Sequence, residues 1–269
     1  MIKDVKYFIE KSNSDSELNL HYLVIDEDCD TIEDIVDYEY LYGISFGEKS
    51  SKKLMVLPDL TPLIGYCSCD MISFYNCIIL EEDMKILSLL NIKNLTIHDC
   101  DGVNGVLECV KKSNIINLSL LYSDDKNYDL SILKHFIYLE ELFIEINTID
   151  LSILEHMNEL KGLYLNSYYI DCSKIINKKL QNICINNIEP ISDITFLKEL
   201  KMLLYLDITS VVDDLDYSPI LLLEDISDIS VGKYDSISIG ILDIGDYLYE
   251  MKKEIFHNFR ILKIKKLLE

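Results

Sequence analysis

Tryptophan is absent from the 269-residue sequence, and the chain contains only four prolines, nine glycines and one arginine, Arg260. So few glycines and prolines exclude a collagen-like chain and a low-complexity linker, which both depend on these residues. No uninterrupted apolar run reaches the length of about 18 residues that a membrane-spanning helix needs. The sequence therefore predicts a folded chain without a membrane span. Its 49% of hydrophobic residues suffice for a sizeable core.

Basic residues are also scarce, because 25 lysines and arginines stand against 47 aspartates and glutamates, for a net charge of −22. Phosphate backbones bind to clustered lysine and arginine, so free nucleic acid is excluded as a partner of the main body. An acidic surface favours a protein partner with a basic surface instead. The last nineteen residues depart from this pattern with a local charge of +4, and we expect a solvated helix or strand face there.

The N-terminal segment lacks the long apolar stretch of a secretory signal. Ile2, Val5, Phe8 and Ile9 recur at helical spacing instead, which predicts a capping helix within residues 1–19. The eight cysteines have no spacing typical of a disulfide framework. Reduced thiols in a cytoplasmic protein are the expectation that follows.

Motifs that carry catalysis are missing from the sequence. It has no G-x-S-x-G, no phosphate loop of the G-x-x-x-x-G-K type and no H-E-x-x-H. The five histidines form no ladder with Cys, Ser or Asp, although His135 and His156 occupy equivalent points of successive repeats. We expect no enzyme activity and no cofactor, and we interpret these two histidines as residues of the connections between strands.

Two groups of potential metal ligands match the sequence patterns of metal sites only weakly. Carboxylates alternate in the loop 26–30, as a calcium site requires, but Thr31 and Asp37 replace the glycine and the glutamate of a calcium-binding loop. A solvated acidic loop or an acidic docking patch is the better interpretation. Three further cysteines lack the matching second pair of a zinc site and are expected to be buried apolar residues: Cys67, Cys69 and Cys77.

One six-residue pattern recurs along the chain: apolar, two variable residues, apolar, one variable residue, apolar. It begins at Ile92, Ile115, Leu139, Leu160, Leu180 and Leu203, with a looser copy at Ile226. Its central apolar residues are 95, 118, 142, 163, 183, 206 and 229, so that successive copies lie 20 to 24 residues apart. Near-constant spacing of this kind is typical of repeat proteins.

Each copy predicts a short strand, because alternate residues of a strand face opposite sides. One such strand cannot bury its apolar face alone, so neighbouring copies must stack in parallel. The connections back to the next strand also repeat, as in Tyr128-Asp-Leu-Ser-Ile-Leu133 and Ile149-Asp-Leu-Ser-Ile-Leu154. Ser or Asp before an apolar pair caps a helical turn, which predicts short helical or 3-10 turns on that side.

These residues resemble the leucine-rich repeat family, in particular its short 22-residue type in internalins and phosphatase-regulatory repeat proteins. The resemblance is carried by Leu139-EE-Leu142-F-Ile144 and Leu160-KG-Leu163-Y-Leu165, each preceded by the Asp-Leu-Ser-Ile-Leu connection. It implies an α/β solenoid, a horseshoe with a parallel concave β-sheet and short helical or 3-10 turns on the convex side. It also implies that the concave face binds other proteins.

The repeat array is expected to span residues 20–269, with its clearest part at 92–231. Weaker copies start at Leu20 and Leu41. The register is open in the irregular stretch 48–91, where Ile64-GY-Cys67-S-Cys69 and the segment 71–80 are alternative strands. A C-terminal cap is expected at about 245–269, and Phe259-RI-Leu262-K-Ile264 is a candidate terminal copy.

The turns depart from the family pattern, which places Asn or Cys three residues after the third apolar position. Here those positions are Cys100, Ser123, Asn147, Tyr168, Ile188 and Val211. Only Cys100 and Asn147 fit the pattern, so we expect turns less regular than those of the family.

The variable positions of the strands supply the candidate binding residues. Phe143 and Tyr164 are neighbours in successive copies, and large aromatics at solvent-facing positions are typical of binding hot spots. The alternative is that these rings cover a neighbouring side chain. The complete candidate set is Tyr122, Glu141, Phe143, Glu145, Tyr164, Asn166, Asn186 and Asp207.

Together these observations predict a non-catalytic protein-binding module. The acidity favours an inhibitor or immunity-type protein that covers a basic enzyme or toxin. A regulatory scaffold subunit, an internalin-like surface adhesin and a self-associating repeat protein are the alternatives, and the adhesin requires an export signal.

Overall fold

The computed structural model describes residues 22–27, 29, 31–33, 35, 42–51, 53–64, 70–122, 128–235 and 244–268. The chain divides into two compact units, residues 1–139 and 140–269. The predicted capping helix at 1–19 lies outside the described residues. Within the described part of the chain, no helix is both long and apolar enough to cross a membrane.

The first unit is built on parallel strands. Five of them form a sheet in chain order: β1 (Tyr22–Ile25), β2 (Gly43–Phe46), β4 (Met71–Tyr75), β6 (Asn94–His98) and β7 (Asn117–Leu121). Two shorter strands, β3 (Met55–Val56) and β5 (Cys77–Ile78), pair in parallel beside it. The connections contain helices α1 (Glu81–Leu87) and α2 (Val103–Val110) and the 3-10 turns Thr61–Leu63 and Leu130–His135.

Alternation along these strands produces the core of the first unit. Ile72 pairs in register with Leu95, and Phe74 with Ile97, and all four side chains are buried. The ring of Phe74 also stacks on Phe46 of the preceding strand, with ring centroids 5.6 Å apart. Each layer of the core is therefore a row of apolar side chains from successive strands, as the sequence pattern predicts.

The second unit repeats the same plan with shorter connections. Its sheet contains β8 (Glu141–Glu145), β9 (Gly162–Ser167), β10 (Asn182–Asn187), β11 (Tyr205–Ile208) and β12 (Asp228–Val231), all parallel, and the antiparallel β13 (Tyr234–Asp235). The connections are the 3-10 turns Leu151–His156, Cys172–Lys174, Thr195–Glu199 and Ser218–Leu222. A long helix, α3 (Ile244–Leu268), follows the last strand.

Side-chain caps explain why the connections turn as 3-10 helices. Asp150 Oδ1 accepts a hydrogen bond from the backbone N–H of Ser152 at 2.9 Å. Asp171 accepts one from Ser173 in the same way at 3.1 Å. Each cap satisfies a backbone donor that the first residues of a helical turn leave without a partner. The prediction of capped helical turns between the strands is therefore confirmed.

The sequence register is confirmed in most of the array and wrong at its end. The weak copies at Leu20 and Leu41 contain β1 and β2, and all seven clear copies contain a strand. In the irregular stretch, the segment that starts at Met71 forms β4, while residues 65–69 of the alternative lie outside the described residues. The terminal copy at 259–264 is wrong because these residues belong to α3.

Candidate functional site

The outward face of the second unit's sheet carries the candidate residues in ordered rows. One row runs across the strands through Phe143, Tyr164, Cys184, Asp207 and Ser230. The row before it contains Glu141, Gly162, Asn182, Tyr205 and Asp228. Neighbouring strands are about 4.8 Å apart, so adjacent members of a row can contact each other.

Two aromatic rings stand side by side on this face. Phe143 and Tyr164 face each other across β8 and β9, with ring centroids 6.0 Å apart and planes 15° apart. Phe143 remains 37% exposed, and Tyr164 is half-buried. A stacked pair presents one rigid apolar surface, which loses little conformational entropy when a partner covers it.

Gly162 makes room for the ring of Tyr164. A Cβ atom at position 162 would lie 3.0 Å from Tyr164 Cε2 and 3.3 Å from Glu141 Cγ. The tyrosine ring therefore lies over the glycine, next to the aliphatic part of the glutamate. The absence of a side chain at position 162 allows this arrangement on an otherwise regular strand.

Carboxylates surround the aromatic pair. Burial raises the pKa of Tyr164, and the negative charge of Glu141 raises it further. Burial and then Asp207 raise the pKa of Tyr205 in the same way. Glu141, Glu145 and Asp207 form no ion pair with any described residue. We call the surface formed by Glu141, Phe143, Glu145, Tyr164, Tyr205, Asp207 and Asp228 the aromatic–acidic strip.

Cys184 lies in the middle of the strip with a thiol that resists ionisation. Its Sγ donates a hydrogen bond to Asp207 Oδ2 at 3.7 Å. Burial, followed by the charge of Asp207 and this hydrogen bond, raises the pKa of Cys184 to about 11. A thiol that stays protonated at neutral pH is a poor nucleophile.

Two asparagines extend the surface towards the ends of the strands. Asn166 and Asn186 are in register on β9 and β10, next to Glu145 on β8. Asn186 Oδ1 accepts a hydrogen bond from the hydroxyl of Thr209 at 3.2 Å. Amide groups at the rim of an apolar patch are suited to polar contacts with a partner.

Tyr122 does not belong to this surface, which corrects the sequence expectation. It lies in the first unit, it is only 6% exposed, and its ring stacks on Tyr128 with centroids 3.8 Å apart. The reason is the parity of the strand, because Tyr122 follows Leu118 and Leu120 at even spacing and points to the same buried side.

Sequence reasoning missed two members of the strip, Tyr205 and Asp228. Both stand immediately before the central apolar residue of their repeat, as Glu141 does. The strict alternation of a strand also turns these positions outward. Applying period two on both sides of the central residue would have found them.

The potential metal sites considered in the sequence show no cluster of metal ligands among the described residues. No three His, Cys, Asp or Glu side chains among the described residues group around a common point suited to a metal ion. Glu27 of the acidic loop pairs with Lys53 at 2.7 Å, whereas Asp28 and Asp30 lie outside the described residues. His135 and His156 end equivalent 3-10 turns, which confirms their placement in the connections.

Known structures that are similar to this chain include two internalins of Listeria monocytogenes. One internalin has a TM-score of 0.50 and 15% sequence identity over 82% of this chain and 77% of that chain. Internalin C2 has a TM-score of 0.42 and 20% identity over 82% of this chain and 89% of that chain. The first likeness shows that the fold is that of a leucine-rich repeat protein. No protein-family model and no curated protein match the sequence.

Proposed function

We propose that this chain is a non-catalytic module that binds a protein with a basic surface through the aromatic–acidic strip. The observation that carries the proposal is the stacked Phe143–Tyr164 pair on an exposed sheet face. It lies among Glu141, Glu145 and Asp207, which form no ion pair with a described residue. Aromatic anchors surrounded by polar groups are the usual centre of a protein interface.

The two components of the strip have different roles in this proposal. Burial of aromatic surface supplies affinity, at about 25 cal/mol per Å² of apolar area removed from water. The carboxylates supply orientation and a faster encounter, since complementary charge acts mainly on association rate and specificity. An arginine of the partner fits both parts, because its guanidinium stacks on an aromatic face and pairs with a carboxylate.

Within this proposal the partner is a basic enzyme or toxin, and the chain is its stoichiometric inhibitor or immunity-type protein in the cytoplasm. The net charge of −22 supports this choice over the alternatives, because a strongly acidic protein covers a basic active-site surface with favourable electrostatics. A regulatory scaffold subunit and a surface adhesin share the fold but have no comparable need for such a charge.

The experiment is capture of partners by the tagged full chain, with the double variant Phe143→Asp/Tyr164→Asp beside it. We expect a basic protein to bind the wild type, to be lost by the double variant and to be weakened at high salt, with mass spectrometry as the readout. A matched control, Tyr138→Asp/Tyr168→Asp, adds the same charge at two exposed tyrosines outside the strip and should retain the partner.

The identity of the captured protein separates the alternatives. A basic enzyme whose activity falls on addition of one equivalent of the chain supports the inhibitor role. A phosphatase or a cytoskeletal protein supports the scaffold role instead. A partner that survives the double variant but not the control variant moves the site away from the strip and contradicts the proposal.

A further inference from the structure

The last part of α3 is an exposed surface of opposite character to the strip. Met251 and Ile255 are buried, and α3 packs through its first half against the 3-10 turn Ser218–Leu222. Beyond Ile255 the described side chains leave the core, and Phe256, Phe259 and Ile261 are between 37% and 49% exposed. Phe256 and Phe259 are three residues apart and share one helix face, and two exposed rings side by side mark an interaction surface.

This segment is also the most basic part of the chain. Residues 256–268 contain Arg260, Lys263, Lys265 and Lys266 and no carboxylate. Arg260 lies over the ring of Phe256, with its guanidinium carbon 5.2 Å from the ring centroid. Neither Arg260 nor Lys263 forms an ion pair with a described residue. We call residues 256–268 the basic helix end.

We propose that the basic helix end of one chain docks on the aromatic–acidic strip of a second copy. This inference rests on the proposed binding role of the strip and names the kind of segment that the strip accepts, a helix with phenylalanines and cations. Arg260 and Lys263 lie beside exposed aromatics on one surface, and they match the charge of Glu141, Glu145 and Asp207 beside the aromatic pair on the other.

The dimensions of the two surfaces agree. The strip crosses five strands, β8 to β12, which is about 19 Å at the usual spacing of about 4.8 Å between strands. The thirteen residues of the basic helix end span about 20 Å at about 1.5 Å per residue. A helix laid across the strands can therefore reach both Glu141 at one side of the strip and Asp228 at the other.

Pairing between two different surfaces is favoured over a symmetric contact. Two basic helix ends packed against each other would bring like charges together, which costs free energy. A single contact between the helix end and the strip is heterologous, so the pair of chains keeps one free strip and one free helix end and can bind further copies. The foreign partner of the proposed function would compete with this self-association for the same strip.

Sedimentation equilibrium of the full chain, from about 1 μM to about 1 mM, tests the inference in the range of weak interfaces. We expect the average mass to rise above the 31.2 kDa of one chain at low salt and to return towards it at high salt. The helix variant Arg260→Glu/Lys263→Glu and the strip variant Glu141→Lys/Glu145→Lys should each raise the dissociation constant at least about tenfold. The control for the helix variant is Lys49→Glu/Lys112→Glu, which makes the same reversal of two positive charges at exposed lysines of the first unit. It should associate as the wild type does.

A mixture of the two variants is the decisive arm. The helix variant keeps an intact strip, and the strip variant keeps an intact basic helix end. An equimolar mixture should therefore associate, although each variant alone does not. Monomeric wild-type chain at every concentration overturns the inference, and so does a strip variant that still self-associates. Binding of monomeric chain to phosphatidylserine vesicles, lost in the helix variant, would assign the helix end to a lipid surface instead.

The same experiments separate this inference from the proposed function. Self-association of the wild type without a captured basic protein would leave the inference standing and contradict the proposed function. A captured basic protein that depends on Phe143 and Tyr164, together with a chain that stays monomeric, would do the reverse.

Discussion

At the scale of single residues, the negative charge and partial burial of the strip raise the pKa values of its thiol and phenol groups. Cys184 is the one thiol in the described central row, and burial and the carboxylate of Asp207 oppose its ionisation. The same environment raises the pKa of Tyr164 and Tyr205, whose ionised forms would also add negative charge. All three shifts have one cause, a partly desolvated surface with excess negative charge, which suits binding of a cation and not attack on a substrate.

The Cys184 thiol provides a direct measurement of this field. Its pKa of about 11 predicts slow alkylation by iodoacetamide at pH 8 and a rate that rises until the pH passes about 11. Asp207→Asn removes the negative charge and should lower the pKa towards the usual value near 9.0, so alkylation at pH 8 becomes faster. The rate is followed by mass spectrometry of the Cys184 peptide in folded protein, with Asp193→Asn as a control carboxylate on a connection. An unchanged rate in Asp207→Asn would show that burial alone suppresses the thiol.

At the scale of elements, polar side chains at the ends of the strands hold neighbouring repeats together. In the first unit, Cys100 Sγ accepts a hydrogen bond from the backbone N–H of Cys77 at 3.3 Å. In the second unit, the hydroxyl of Ser167 donates to the carbonyl of Asn147 at 2.8 Å. Asn187 donates through Nδ2 to the carbonyls of Glu189 at 2.6 Å and Ser210 at 2.9 Å. Each of these side chains is buried and adds a hydrogen bond to the backbone of its own turn or of a neighbouring repeat.

Asn187→Ala should therefore destabilise the second unit. The substitution removes two hydrogen bonds donated by one buried amide, which costs about 1–3 kcal/mol in the free energy of unfolding. The neighbouring Asn186→Ala is the control, because Asn186 is exposed and should change the free energy of unfolding by less than about 0.5 kcal/mol. Urea denaturation followed by circular dichroism measures both. Equal midpoints for the two variants would mean that water replaces the Asn187 amide and that the turn does not depend on it.

The strands were predictable from the sequence, and the turns between them were less so. Alternation fixes which residues of a strand face the core. A copy such as Leu163–Leu165 can therefore pair with its neighbours in only one register that buries both leucines. The turn side chains Ser167 and Asn187 stand two residues after the last core position instead of the usual three, where Tyr168 and Ile188 are exposed. A sequence pattern that expects the turn residue three positions after the last core residue overlooks them. The hydrogen bonds depend instead on which residue ends the strand.

The same limit explains which part of the candidate site could be predicted. Phe143 and Tyr164 were found because strand alternation is local, and their register across β8 and β9 follows from the repeat. Tyr122 was placed wrongly, because it follows the end of β7 and shares the parity of the buried residues Leu118 and Leu120. The role of Gly162 could not be predicted, since its close approach to Tyr164 depends on a side-chain rotamer and not on a sequence pattern.

At the scale of the whole molecule, charge is distributed unevenly. Even if every one of the 25 cations paired with a carboxylate, 22 negative charges would remain. Exposed ion pairs such as Lys161–Glu140 contribute at most about 1 kcal/mol each. Repulsion among the remaining carboxylates acts over the whole chain and opposes the folded state. The basic helix end is the exception to this distribution, and this contrast gives it a role in association.

This imbalance predicts that salt stabilises the folded chain. Raising sodium chloride from about 0.01 M to about 0.1 M shortens the screening length from about 30 Å to about 10 Å, which weakens long-range repulsion more than close ion pairs. The melting temperature should therefore rise with salt in differential scanning calorimetry, and potassium chloride should give the same increase as sodium chloride. A melting temperature that falls would mean that ion pairs outweigh repulsion. The predicted rise has a consequence for the binding experiments, because salt then weakens association while it strengthens the fold. Loss of a partner at high salt can in that case be attributed to screening at the interface and not to unfolding.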